Sequence, residues 1–279
     1  MSTRTIQSLH DGLKTHDGAD VKLTRIIGQP NLKNLDPFLM LDAFGTDEPK
    51  DYIGGFPPHP HRGFETVTYL LAGNMRHQDN QGNEGVIRTG GVQWMTAGRG
   101  IIHSEMPEQE EGLLMGFQLW VNLPSHAKMS EPKYQEYEPE QMPIEIHNDG
   151  TEIRVIAGKT DNGTEGLIKN TFVEPTYLDV TLPTEQHFKQ TLKSEETAFI
   201  YLHEGQLQIA ENTAQPIKTG QLAVLTAGDV VEVKAHQPSR FILVAGSPLK
   251  EPIVQRGPFV MNTEAEIHQA MDDYHHNRF

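Results

Sequence analysis

A chain of 279 residues with 36% apolar and 22% charged side chains is too rich in core formers to be disordered, and is long enough for two domains of about 130 to 140 residues each. Its net charge of −15, from 23 basic and 38 acidic residues, argues against direct binding to nucleic acid or to an anionic membrane surface, since both need cationic patches. With no cysteine, disulfides, thiolate nucleophiles and Cys-ligated zinc or iron–sulfur centres are excluded, so any metal must be held by His, Asp or Glu.

The opening residues, Met1 to Gln7, contain no apolar stretch of the signal-peptide kind. No run approaches the roughly 18 apolar residues that span a bilayer. A cysteine-free core suits a reducing compartment, and a cytoplasmic location is expected. Short runs of β-branched, aromatic and aliphatic residues then follow one another, separated by Gly, Pro, Asn and Asp. They predict strands at Val21–Ile27, Phe38–Phe44, Phe64–Leu71, Val92–Met95, Ile101–Glu105 and Leu113–Leu123. The next stretch, with Pro124, Pro132, Pro139 and Pro143 and many charges, reads as a linker with room for a short helix. Strands resume at Ile153–Ala157, Tyr177–Leu182, Ala198–Leu202, Ala223–Thr226, Val230–Val233 and Phe241–Val244. Thr263 and Glu266 form a capping-box pattern, and Ile267, Ala270, Met271 and Tyr274 recur at helical spacing, which predicts a helix over about 264–275. Many short strands at regular spacing point to sandwiches or barrels.

The chain also repeats itself. Residues 89–105 (TGGVQWMTAGRGIIHSE) align without a gap on residues 219–235 (TGQLAVLTAGDVVEVKA), an offset of 130, and the turn Ala72-Gly73 fits Glu204-Gly205 at an offset of 132. Two copies of one barrel account for this. The expected organisation is a leading barrel over 1–130, a linker over 131–145, a trailing barrel over 146–262, and a helix with tail over 263–279.

Chemistry concentrates in the leading half. His59 and His61 alternate on a strand and share a face, and Glu65 would join them if the strand ran on. His103 and Glu105 share parity on a second strand. Among 14 histidines a single HxH is ordinary, and a lone buried imidazole is more often a satisfied core residue. Two such motifs, each beside a glycine turn at matching barrel positions, instead predict a metal site. Three imidazoles and one carboxylate leave up to two octahedral positions open, as in iron or copper oxygenases, although ligand type does not separate iron from manganese, copper or nickel. On the strand after them, Gln118, Trp120 and Asn122 share one face, which either lines the pocket or forms a mixed barrel surface. His275-His276 reads as a solvated pair near a frayed end, and His187, His203 and His236 as surface or core residues.

The pattern HxH(x)3E followed by a glycine turn and G-x-x-H resembles the two cupin motifs. The segments FPPHPHRGFETVTYLLAG, GRGIIHSEMP, FQLWVNLP and RGPFVMNT resemble pirin proteins, across most of the chain. The resemblance implies an all-β bicupin fold: two tandem double-stranded β-helix (jelly-roll) barrels with a short C-terminal helix. It implies one divalent metal in the leading barrel, iron(II) foremost with Cu, Mn, Ni or Zn left open, held by His59, His61, His103 and Glu105. Glu65 occupies the usual cupin carboxylate position, which pirins give up to the glutamate of HSE, so Glu65 is expected beside the ligands or turned aside. Carried by the repeat offsets, the ligand positions become Thr191, Lys193, Val233 and Ala235, with Glu65 falling on Thr197, so the trailing barrel is expected to hold no metal.

Pirin-like proteins include quercetin 2,3-dioxygenases, which open a flavonol ring with O2 and release carbon monoxide. The implied activity is therefore a non-haem metal dioxygenase acting on a small aromatic, flavonol-like substrate and O2, with Glu105 as the catalytic base. The alternative is an iron-dependent, redox-sensing regulatory protein acting through protein partners. The family leans towards monomers.

Overall fold

A computed structural model describes residues 1–169, 171–209 and 216–279. Among the described residues the regular structure is mostly antiparallel strand, with one α-helix at Glu264–His275. Among the described residues no helix is long and apolar enough to cross a membrane. Two compact units emerge: Leu13–Gln141 with Leu249–Phe279, here the leading unit, and Met1–Gly12 with Met142–Pro248, the trailing unit.

The leading unit pairs a seven-stranded sheet with a four-stranded one. The larger runs, in spatial order, Lys133–Tyr137, Val92–Thr96, Phe64–Ala72, Leu114–Asn122, Phe38–Thr46, Val21–Ile27 and Leu13–Asp17. The smaller runs Phe56–His61, Ile101–Pro107, Met75–Asp79 and Glu84–Ile87. The trailing unit repeats the order. Its larger sheet is Ile6–Asp11, Gln221–Leu225, Thr197–Glu204, Ser239–Gly246, Thr176–Leu182, Glu152–Ala157 and Ile144–Ile146, and its smaller sheet is His187–Thr191, Val230–Ala235, Gln206–Ile209 and Ile217–Lys218. The duplication read from the sequence is thus a duplication of topology.

The boundaries differ from those expected. Residues 131–145 are not a free linker, because Lys133–Tyr137 pairs with Val92–Thr96 and supplies the outermost strand of the leading sheet. The equivalent edge of the trailing sheet is Ile6–Asp11, paired with Gln221–Leu225, so the first twelve residues belong with the trailing unit. Residues 249–279 belong with the leading unit rather than following the trailing one. Edge strands with little apolar content leave a faint sequence pattern, since one side of their backbone is unpaired and their side chains bury little.

The two interiors are filled differently. In the trailing unit one apolar cluster runs between both sheets and includes Val155, Leu178, Phe188, Leu207, Val233 and Phe241. In the leading unit the apolar cluster between the sheets is smaller: Leu23, Phe44, Tyr52, Leu70, Met75, Ile87 and Leu114. Beside it, buried positions go to His61, Thr66, Thr68, His77, His103 and Glu105. Each buried polar group left without a partner costs about 1–3 kcal/mol, so such an interior persists where it has a use.

The helix matches its expected span. Thr263 caps it with the full capping box to Glu266, and Ile267 and Ala270 pack against Phe259 and Met261.

Candidate metal centre

The site begins with an edge strand. Phe56–His61 carries Pro57, Pro58 and Pro60, which lack N–H groups, and it lies at the outer edge of the four-stranded sheet. Alternation brings His59 and His61 to one face. Among the described residues it pairs with Ile101–Pro107 alone, and His103 sits directly across from His59 in the ladder. The ring centroids lie 4.6 Å (His59–His61), 4.5 Å (His59–His103) and 5.0 Å (His61–His103) apart. One ring nitrogen from each falls within 4.8 Å of the other two.

These donors suit a metal. His59 Nε2 and His61 Nε2 are 3.0 Å apart, close to the separation of about 3 Å expected for neighbouring ligands with metal–nitrogen bonds of about 2.1 Å. The other nitrogen of His59, Nδ1, lies 2.9 Å from the Pro57 carbonyl; donating there fixes the tautomer with the Nε2 lone pair toward the cluster. His61 Nδ1 and both ring nitrogens of His103 are buried without a hydrogen-bond partner, and a cation would satisfy such an orphaned set. Burial pushes His61 well below the usual imidazole range, with His103 and His59 adding to the effect. Burial likewise pushes His103 down to about 4. The lone pairs of His61 and His103 are therefore available at neutral pH, as ligation requires.

Glu105 stands on the His103 strand but outside this three-histidine group. Its carboxylate accepts from Thr68 Oγ1 at 2.8 Å and from Gln118 Nε2 at 2.8 Å. Burial would raise its pKa, but His103, His59 and these two donors outweigh it and hold the carboxyl below the usual range. Two donors still leave lone pairs on a carboxylate free for a further proton or ion.

Glu65 goes elsewhere. The strand stops at His61, and Arg62-Gly63 turns the chain before Phe64–Ala72 begins. Gly63 has φ +89°, and a Cβ there would come within 2.0 Å of the Val260 carbonyl, so only glycine fits. The turn breaks the alternation. Thr68, across from Gln118, faces Glu105, whereas Glu65, across from Val121 and Thr96, lies on the opposite face. It accepts from Thr96 at 2.7 Å, and burial raises its pKa. Gln118 and Trp120 do face the site: Gln118 holds Glu105, and the Trp120 ring lies 5.2 Å from His61 and 4.3 Å from Phe64. Asn122 instead accepts from the buried Lys128 ammonium at 2.7 Å.

A cavity of about 580 Å³ opens onto His59 and His61, walled by Leu39, Met40, Phe56 and Trp120, with Asp17, Arg25, Lys33 and Gln118 among its polar groups. Trp120 Nε1 is buried without an acceptor. Several contributors lie outside the two histidine motifs. His77, buried on the strand beside Glu105, lies 2.6 Å from Glu136 and stacks on Tyr134; its parity with Met75 and Asp79 was the available signal. Pro258, Gln255 and Gly257 also line the cavity, and nothing local announces this.

In the trailing unit Val233 pairs with Phe188, as His103 pairs with His59. The ladder therefore places Phe188 and Gln190 at the HxH positions, not Thr191 and Lys193. Only Arg62-Gly63 separates the two leading strands, whereas residues 192–196 separate the trailing pair, so an offset measured at another turn does not carry across. His187 and His236 are exposed, and His203 lies 3.8 Å from Asp179. His275 and His276 are exposed.

Two family models match the chain: Pirin over residues 20–121 and the Pirin C-terminal cupin domain over residues 177–279. The chain belongs to the pirin family. This pirin is 48% identical to a pirin-like protein of Caulobacter vibrioides across the whole of both chains. It is 47% identical over 263 residues to pirin of Homo sapiens, covering 92% of this chain and 88% of that one. The crystal structure of quercetin 2,3-dioxygenase from Acinetobacter baumannii superposes with a TM-score of 0.91 at 33% identity, covering 100% of this pirin and 99% of that chain. The pirin is thus a bicupin, as its motifs implied, and its three-histidine group lies within the stretch matched by the first family model.

Proposed function

We propose that this protein is a metal-dependent dioxygenase that opens a flavonol-like ring with O2, its ion held by His59, His61, His103 and Glu105, with iron(II) as the native metal. The observation that carries the reading is the convergence of three imidazoles, two of them with unpaired buried nitrogens, beside a cavity of about 580 Å³ that His59 and His61 line. That size is usual for a small-molecule site. The likeness to a quercetin 2,3-dioxygenase over the full chain supports the reaction class.

When bound, the ion supplies a Lewis acid and redox template with positions open to a hydroxyl–ketone pair and to O2. The rest falls to the chain. The apolar walls at Leu39, Met40, Phe56 and Trp120 receive flat rings and exclude water. Trp120 Nε1 offers an unused donor. Glu105, held anionic by the neighbouring His103 and His59 together with Gln118 and Thr68, accepts the proton of the substrate hydroxyl at a carboxylate oxygen. Gln118 keeps that oxygen oriented while the proton arrives.

Purified protein loaded anaerobically with iron(II) should consume O2 and flavonol in equal amounts, and His61→Ala should not. Absence of turnover by the loaded protein, with partner binding that follows the oxidation state of the metal, would refute the enzyme and favour the redox-sensing regulator. One observation favours that second reading: the residue after His61 reaches directly to the C-terminal helix.

A further inference from the structure

We infer that Arg62 is a positioning residue that builds the C-terminal segment into the metal site, so that metal affinity and the docking of helix Glu264–His275 are coupled. The inference rests on the metal reading above. Arg62 follows His61, and its side chain is only 3% exposed. One guanidinium meets three elements. Its Nε donates to the Arg99 carbonyl, in the turn that leads to His103. Its Nη1 donates to Asp273 on the helix at 2.7 Å. Its carbon lies 4.3 Å from the ring centroid of Phe279. The turn after the first two histidines and the turn before the third are therefore held by the same side chain.

The backbone makes the same join. Val260 N donates to the Arg62 carbonyl at 3.0 Å, in a parallel bridge between residues 62 and 259. Lys128 Nζ donates to both Gly63 O at 2.8 Å and Val260 O at 3.0 Å. Phe279 also fills the space over Gly100, where a Cβ would come within 2.8 Å of its ring. Asn80 donates to the Phe279 carbonyl at 3.1 Å and accepts from Ile102 N at 3.1 Å, one residue from His103.

A buried arginine is a costly way to fasten two turns if fastening were all that was needed, because its charge must be desolvated. Its planar fork fixes direction as well as distance, which an apolar plug or a lysine does not. Outer partners of this kind typically set metal affinity by about 10–100-fold. Coupling of this sort is reciprocal: whatever the docked helix contributes to metal binding, metal binding returns to helix docking.

The test uses the full chain and cobalt(II) as the probe, with affinity measured by competition against a chelator and ligand geometry read from the visible d–d absorption. Arg62→Lys, Asp273→Asn and Phe279→Leu should each weaken cobalt binding by about 10-fold or more and alter the band shape. In the wild-type chain, cobalt should slow amide hydrogen exchange across residues 264–279; in Asp273→Asn that slowing should vanish. A role confined to stability would leave the band and the metal-dependent protection intact. Should Arg62→Lys fail to fold, the two variants at the far side of the clamp carry the test. Wild-type affinity within about twofold in folded Asp273→Asn and Phe279→Leu, with cobalt-dependent protection unchanged, overturns the inference. Failure of the wild-type chain to bind cobalt overturns the metal reading, and the inference with it.

Discussion

Replacing His103 with leucine should make the metal-free protein more stable while abolishing its response to metal. Both ring nitrogens of His103 are buried without partners, and each such group costs about 1–3 kcal/mol, so the imidazole carries a ceiling of about 2–6 kcal/mol in the absence of an ion. Leucine removes that penalty, and misfit of its shape beside His59 and His61 subtracts about 1–3 kcal/mol. The difference runs from a loss of about 1 to a gain of about 5 kcal/mol and is centred on a gain of about 2 kcal/mol. In the wild-type chain, an ion at a hundredfold excess over its dissociation constant should add about 2.7 kcal/mol, a gain the variant should lack. The assay is denaturant unfolding followed by tryptophan emission. Trp94 and Trp120, the two tryptophans of the chain, both lie in the leading unit, so their signal reports that unit. A metal-free His103→Leu chain less stable than wild type by more than about 1 kcal/mol would refute the reasoning, because it would mean that the imidazole nitrogens are already satisfied.

Acid should destabilise the metal-free leading unit. His103, lowered from 6.5 to about 4 by burial, stays neutral in the fold while the unfolded chain takes up its proton first, so stability is full above about pH 6.5 and falls as pH drops toward 4; equilibrium unfolding across that window should show a slope that shrinks in His103→Leu. Glu105→Gln keeps the side chain's shape but removes the proton acceptor, and should cut flavonol turnover by about 10²–10⁴-fold; turnover within about twofold of wild type would remove Glu105 from the role of base. In the trailing unit, Phe188→Ala should cost about 3–5 kcal/mol by calorimetry while leaving cobalt affinity unchanged, and a matching loss of metal would mean that its core supports the site.

The three histidines were legible because alternation within single strands and glycine turns beside them are local signals. The Gln118 face was legible for the same reason. Glu65 was not, because its orientation depends on whether the chain turns at Arg62-Gly63, and the φ of Gly63 is decided by the approach of Val260 from far along the chain. The HxH counterparts in the trailing barrel were misplaced by a difference in turn length that only the ladder register reveals. Arg62 and Lys128 look like ordinary surface cations in sequence. Their burial comes from carbonyls and a carboxylate contributed by residues 99, 260 and 273, which no periodicity can announce. Lys133–Tyr137 was hidden among prolines and charges because an edge strand needs little apolar content to pair.

Both units are completed with material from the opposite end of the polypeptide: Ile6–Asp11 must await Gln221–Leu225, and Leu13–Gln141 must await Leu249–Phe279. A ribosome emitting this chain would release the histidine-bearing strands long before their last supports, leaving an unfinished jelly roll with a bare flank through most of synthesis. Scissoring the gene near codon 130 would yield two fragments that each lack a stave, Lys133–Tyr137 from one and Ile6–Asp11 from the other, whereas a cut-and-rejoined version that moved the first twelve residues behind residue 248 would let the trailing half close by itself.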